Sequence, residues 1–183
     1  VSKKIISNLS HKLLVAMPHV KDELFEKSVI YVYEHDEQGA MAFIINKALP
    51  ISMGDILRQL NLEAPSLKAN ELFLLQGGPV SKEQLYVVQF NLADNDEPLT
   101  LAQPQHLLDD FAKGEQLDNT LPFLGYAGWS AGQLEKELIN NDWLICPFTL
   151  EVFTHLPANE RWQYCFRRIG VDPLYLSDNV GHA

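Results

Sequence analysis

Residues 121–144, L-P-F-L-G-Y-A-G-W-S-A-G-Q-L-E-K-E-L-I-N-N-D-W-L, constrain the fold more tightly than any other stretch of this 183-residue chain. Leu121 to Tyr126 is a short apolar run that reads as a buried strand, and Gly125, Ala127 and Gly128 supply the backbone freedom for a sharp turn after it. A helix is expected next. Ser130 and Gln133 have the spacing of a capping box, in which the serine hydroxyl accepts from the amide at the third helical position and the glutamine reaches back to the cap. Trp129 and Leu134 then occupy the two positions of a hydrophobic staple. Leu134 and Leu138 share one face, Glu135 and Glu137 suit the positive end of the helix, and Asn140 and Asn141 stop it.

Around this strand and helix the remaining pattern is rich in hairpins. Leu13 to Met17 reads as a first strand closed by Pro18. Ser28 to Glu34, S-V-I-Y-V-Y-E, reads as a second strand, and Ala40 to Asn46 returns as a third after a turn at His35 to Gly39. Ser52 is placed to cap a short helix bearing Ile56, Leu57 and Leu60, and residues 61–70, with Pro65, read as a loop. Leu72 to Leu75 and Gln84 to Phe90 flank the turn residues Gln76 to Pro79 and read as a second hairpin. Leu99 to Ala102 is a short strand, and Pro104 opens a helix whose Leu107, Leu108 and Phe111 share a face before Gly114. Trp143 to Cys146 reads as a strand, and Thr149 as the cap of one helical turn through Phe153. Residues 158–169 form an amphipathic helix with Trp162, Cys165, Phe166 and Ile169 at core spacing and Gly170 as its stop. The tail from Asp172 has no period. Hairpins come first and helices interrupt the later strands irregularly, so the fold class expected is α+β, in a single domain spanning residues 1–183.

Charge narrows the partners. Fourteen Lys and Arg against 24 Asp and Glu give a formal charge of −10, which repels phosphate backbones unless a local basic patch intervenes. Lys3-Lys4 and Arg167-Arg168 are the only adjacent basic pairs, so neither direct nucleic-acid binding nor a membrane role is expected. The two cysteines, Cys146 and Cys165, have no metal-binding or redox spacing and read as reduced thiols of a cytoplasmic protein. The apolar run before Pro18 is too short for a signal peptide.

The motifs L-V-A-M-P at Leu14 to Pro18, S-V-I-Y-V-Y-E-H at Ser28 to His35, G-A-M-A-F-I-I-N-K at Gly39 to Lys47, G-G-P at Gly77 to Pro79, the Gly125 to Leu144 stretch and the terminal G-H-A together resemble the AlgH/YqgE family of bacterial proteins. The resemblance runs through essentially the whole chain. Ala42, in place of a usual glycine, and Ala48, in place of a usual proline, depart from it at the edge of the third strand. It implies a hairpin-rich, branched sheet folded into a pseudo-barrel and flanked by several helices, in a cytoplasmic protein. It implies no activity, although some members carry a label as transcriptional regulators of exopolysaccharide synthesis.

Candidate chemistry is sparse. The six histidines, His11, His19, His35, His106, His155 and His182, show no metal-ligand spacing, so neither metal nor cofactor is assigned. His35 stands out because it follows Glu34 in the expected turn. Ser130 lies in G-W-S-A-G, the spacing of a nucleophile elbow between strand and helix, with Asp172 and His182 later in the chain. Its expected duty as helix cap competes for the same hydroxyl. Free amides from Gly128 to Gln133 offer weak anion binding, opposed by Glu135 and Glu137. The reading is a binding or regulatory module that acts through protein or small-ligand contacts, with no catalytic residue assigned. Its site is expected around Glu34, His35, Asn46, Gly125, Gly128, Trp129, Ser130, Gln133 and His182. A hydrolase using Ser130 is the alternative.

Overall fold

The computed structural model describes residues 7–62 and 66–177. Its strands are β1 (Leu13–Ala16), β2 (Val29–Asp36), β3 (Gly39–Ile44), β4 (Ala48–Ser52), β5 (Phe73–Gln76), β6 (Val80–Phe90), β7 (Leu99–Ala102), β8 (Thr120–Ser130) and β9 (Trp143–Cys146). The α-helices are α1 (Met53–Gln59), α2 (Leu67–Glu71), α3 (Leu108–Ala112), α4 (Gln133–Ile139), α5 (Glu151–Thr154), α6 (Arg161–Ile169) and α7 (Pro173–Ser177). The fold is α+β, as its hairpin-rich pattern led us to expect. Its elements gather into two compact units, one made of the chain up to Asn46 and again from Ala127, the other of Lys47 to Tyr126. Neither border is a polar or Pro/Gly-rich linker, and the second falls inside β8.

In the first unit, antiparallel pairing gives the order β8–β3–β2–β1–β9, with residues 127–130 supplying the β8 edge. Every residue of β1 is fully buried, because the strand is paired on both sides and covered on both faces. Leu14, Ala16, Ile30, Val32, Ala42 and Ile44 form one face and pack with Trp129, Leu134 and Trp143. On other β2 positions, Tyr31 meets the rings of Phe148 and Phe153 at 5.8 and 6.0 Å. Burying each large side chain of this kind stabilises the fold by about 1.5–3 kcal/mol. Trp162, Cys165 and Phe166 of α6 are buried as their spacing predicts, and the Trp162 indole N–H donates to the carbonyl of Ala16 at 2.9 Å. Gly170 ends α6 in the left-handed conformation, at φ 79°.

Arg161, at the start of α6, is 7% exposed. Its guanidinium donates to the carbonyls of Ile45, Phe153 and Leu156, satisfying backbone acceptors from three separate segments. Burial pushes its pKa down to about 10, so it remains charged at neutral pH.

The second unit has the order β4–β5–β8–β6–β7, to which β8 contributes residues 120–126. Ser52 caps α1 in a full capping box: its hydroxyl accepts from the Asp55 amide at 3.1 Å and the Asp55 carboxylate accepts from the Ser52 amide at 2.8 Å. Met53, Leu57, Ala69, Val87, Phe111 and Leu117 make this unit's core.

Four local expectations fail. The segments around Gln76 to Pro79 do not form a hairpin, because β8 lies between β5 and β6, parallel to one and antiparallel to the other. Residues 67–70, expected in a loop, belong to α2, capped by the Ser66 hydroxyl. β8 does not end at Gly125 to Gly128 but continues past a left-handed Gly125 to Ser130, since pairing with β3 holds residues 127–130 in the ladder. The helix that follows consequently begins later, with Gly132 at φ 75° as its cap residue. β4 and α7 were not anticipated.

Candidate functional site

The turn between β2 and β3 positions the most concentrated group of expected site residues. It is tighter than expected: β2 runs to Asp36, so Glu37 and Gln38 alone connect it to β3. Asp36 accepts from the Gln38 amide at 2.7 Å, an Asx-type closure. Gly39, at φ 146°, leaves no room for a side chain, since a Cβ there would lie 2.2 Å from the Trp129 carbonyl oxygen.

A β-bulge between Val32 and Glu34 shifts the strand's alternation. The extra residue carries His35 onto the covered face of Ile30 and Val32 and leaves Glu34 exposed. His35 is therefore 7% exposed in a strand and is not a loop residue. Its Nδ1 accepts from the Leu9 amide at 3.0 Å, and its Nε2 lies 2.7 Å from Glu135 Oε1. This network assigns the proton to Nε2, as a donor to Glu135. The Ser10 hydroxyl accepts from the His35 amide at 2.9 Å. Both ring nitrogens are thus committed, and the imidazole clasps residues 9–10 to β2 and α4 rather than facing a ligand.

Ser130 is exposed, and both its hydroxyl and its amide donate to the Gln133 side-chain oxygen, at 3.2 and 3.1 Å. Only half of the expected capping box is present: the glutamine reaches back, but the hydroxyl caps no amide. A nucleophile elbow is also missing, because Ser130 ends an extended ladder residue opposite Gly39. Among the described residues no imidazole hydrogen-bonds to its hydroxyl.

Trp129 is fixed by its indole N–H, which donates to Glu137 at 2.9 Å. The same carboxylate accepts from Trp143 at 2.8 Å and from the Gln133 amide group at 3.2 Å. The rings of Phe25, Trp129 and Trp143 lie 6.0–6.3 Å apart. Trp129 also joins Glu34, Asp36, Gln38, Ala40 and Met41 around a shallow depression of about 370 Å³, although the ladder turns its ring to the covered face with Ala40 and leaves Glu34 and Met41 on the opposite one. Gly128, paired with Met41, and Ser130, paired with Gly39, lie along the same ladder.

Two expected residues lie elsewhere. Asn46 accepts from the Val29 amide at 2.9 Å and donates to the Lys27 carbonyl at 2.8 Å. Gly125, at φ 71°, allows the close approach of Gly78, whose carbonyl oxygen would lie 2.6 Å from a Cβ. Both read as structural. His182 lies outside the described residues. Glu135 and Glu137, weighed in the sequence only as helix charges, prove to hold His35 and the two tryptophans; no short motif announces such pairings.

Cys146 and Cys165 are free and buried. The Cys146 thiol donates to the carbonyls of Pro147 and Cys165; the neighbouring Cys165 side chain holds the Cys146 pKa below the ordinary value, while Cys146 and burial raise that of Cys165. Among the described residues no group of three or more His, Cys, Asp or Glu side chains could hold a metal ion, and no helix is long and apolar enough to cross a membrane.

Comparison with known proteins extends over nearly the whole chain. A family model described as AlgH-like matches residues 13–174. A UPF0301 protein of Coxiella burnetii is 41% identical over 175 residues, covering 96% of this chain and 97% of the relative. One from Legionella pneumophila is 38% identical over 186 residues, covering 98% and 99%. The solution structure of the AlgH protein from Pseudomonas aeruginosa is similar at a TM-score of 0.74, with 34% identity and full coverage of both chains. A crystal structure of a Corynebacterium diphtheriae protein is similar at a TM-score of 0.68 and 22% identity over 91% of each chain, a likeness of fold alone. Sequence motifs, sheet topology and these relatives converge, and the chain belongs to the AlgH-like family.

Proposed function

We propose that this protein is a binding module, regulatory through its contacts, and that the depression beside Trp129 receives a cationic side chain of a protein partner. The observation that carries this reading is the pair of exposed carboxylates, Glu34 and Asp36, beside the apolar Met41 on the outer face of the ladder. Carboxylates next to an apolar side chain suit a lysine or arginine, whose charge pairs with the acids while its methylenes cover the apolar part. Rigid, hydrogen-bonded surroundings reduce the ordering cost of such a contact. The hydrolase alternative finds less support, because among the described residues the Ser130 hydroxyl donates to the Gln133 side-chain oxygen and to no general base.

A short lysine- and arginine-containing peptide titrated into isotopically labelled protein tests the reading. The expected result is movement of the Gly39 amide and Met41 methyl resonances, weakened about tenfold by the double variant Glu34→Gln, Asp36→Asn. Absence of movement at millimolar peptide would overturn it. Hydrolysis of an ester or phosphoester that disappears in Ser130→Ala would instead favour the hydrolase.

A further inference from the structure

The first unit carries a second and larger concavity of about 670 Å³, formed by the loop after β1, the end of α6 and the start of α7. That volume lies within the ordinary range for small-ligand pockets. Its apolar wall includes Pro18, Pro173 and the ring of Trp162, while Lys21, Lys27 and Arg167 line its rim with Asp172 as the one acid. Three cations against one carboxylate run opposite to a chain with 14 basic and 24 acidic residues.

The cations and the indole are held in place, or only weakly engaged, before any ligand arrives. Lys27 Nζ stands 5.9 Å from the centre of the Trp162 ring, and the Lys27 backbone is kept left-handed, at φ 51°, with its carbonyl accepting from Asn46. The Trp162 ring is pinned by its bond to Ala16. Lys21 meets Glu26 at 3.5 Å in an exposed pair, which contributes little in water. Asp172 is engaged in accepting from the Leu174 amide at 2.9 Å. The carbonyls of Phe166 and Arg167 at the end of α6 are occupied by the amides of Val171 and Gly170, so the negative end of the helix is capped.

We propose that this pocket binds an organic anion, a carboxylate or phosphate attached to an apolar or aromatic body. The head group would lie among Lys21, Lys27 and Arg167, and the body against Pro18, Pro173 and the Trp162 ring. This site is independent of the acidic depression and takes ligands of opposite charge.

The full chain, isotopically labelled, is titrated with phenyl phosphate, benzoate and inorganic phosphate. Phenyl phosphate is expected to move the Trp162 indole and the Lys27 and Gly170 amides, and to bind about tenfold more tightly than inorganic phosphate because its ring adds apolar burial. Lys27→Gln and Arg167→Gln, both at exposed positions, are expected to weaken binding about tenfold each while leaving the remaining spectrum unchanged. Benzoate compared with phenyl phosphate distinguishes a carboxylate head group from a phosphate one. Unmoved resonances with millimolar phenyl phosphate and benzoate, unchanged affinity in both variants, or equal affinity for phenyl phosphate and inorganic phosphate would each overturn the proposal.

Discussion

The Ser130 hydroxyl shares the Gln133 carboxamide oxygen with its own backbone amide and supports no helix end. Replacing it with alanine is therefore expected to change stability by no more than about 0.5 kcal/mol, the range for exposed positions away from caps and core. The denaturant midpoint of Ser130→Ala measures this, and a serine-directed fluorophosphonate is expected to leave the wild-type residue unlabelled. Asp55 behaves differently. A hydrogen bond from the Ser52 amide, followed by those from Arg58 and the Ser52 hydroxyl, holds its pKa below the usual carboxylate value. The sign follows from linkage: with the folded pKa depressed, the contribution is present above the unfolded value of about 3.9 and is lost as pH falls through the folded one. Asp55→Asn is expected to lower stability at neutral pH and to flatten the acid side of the stability profile below about pH 4. Chemical denaturation across that range reads both effects. Both serines begin the same spacing pattern, S-x-x followed by an acceptor, yet only Ser52 is a cap.

At the scale of elements, α4 is joined to the strands through Glu137, which accepts from Trp129, Trp143 and Gln133. Glu137→Ala strands two indole donors that are 7% and 4% exposed as residues, and is expected to cost about 2–4 kcal/mol. Glu137→Gln, which keeps an acceptor, is expected to cost less. Urea midpoints and the indole nitrogen shifts of both variants check this. The contrast between Ser52 and Ser130 explains how much could be read from the chain. Patterns satisfied within one element, such as the Ser52 box, the core spacing of α6 and the β2–β3 hairpin, are visible in sequence. Patterns that depend on a distant strand are not. Pairing with β3 keeps residues 127–130 in the ladder through Gly128 and defers the helix to Gln133, and β8 takes the place between β5 and β6 where a local hairpin was expected. For the candidate site, Glu34, Trp129 and their neighbours on the ladder were legible, but the burial of His35 depends on a bulge that no residue type announces.

For the molecule as a whole, the charge of −10 governs encounters with other macromolecules. Each phosphate contact would need a cation, and affinity would then fall steeply with added salt. Gel-shift titration at physiological salt is expected to show no competitor-resistant complex with duplex DNA. A sub-micromolar complex surviving competitor would refute this. The three cations around the concavity beside Trp162 do not alter the expectation, since they surround a pocket of ligand size and form no extended face along which a duplex could lie.

The bulge in β2 works as a change of reading frame within eight residues. Before it, the frame points Ile30 and Val32 at the core; after it, the frame is advanced by one, so that a histidine and not a glutamate arrives opposite Glu135. Deleting Tyr33 would remove the extra residue and leave the simple alternation Val32 in, Glu34 out, His35 in, whereas inserting one residue after Tyr33 would advance the frame again and bring the Glu34 carboxylate to the place of the imidazole, facing another carboxylate. The insertion is expected to lose cooperative folding, whereas the deletion, which keeps the imidazole opposite Glu135, is expected to fold. Thermal unfolding followed by circular dichroism separates the two. A single unpaired residue thus determines which side of β2 is surface and which is core.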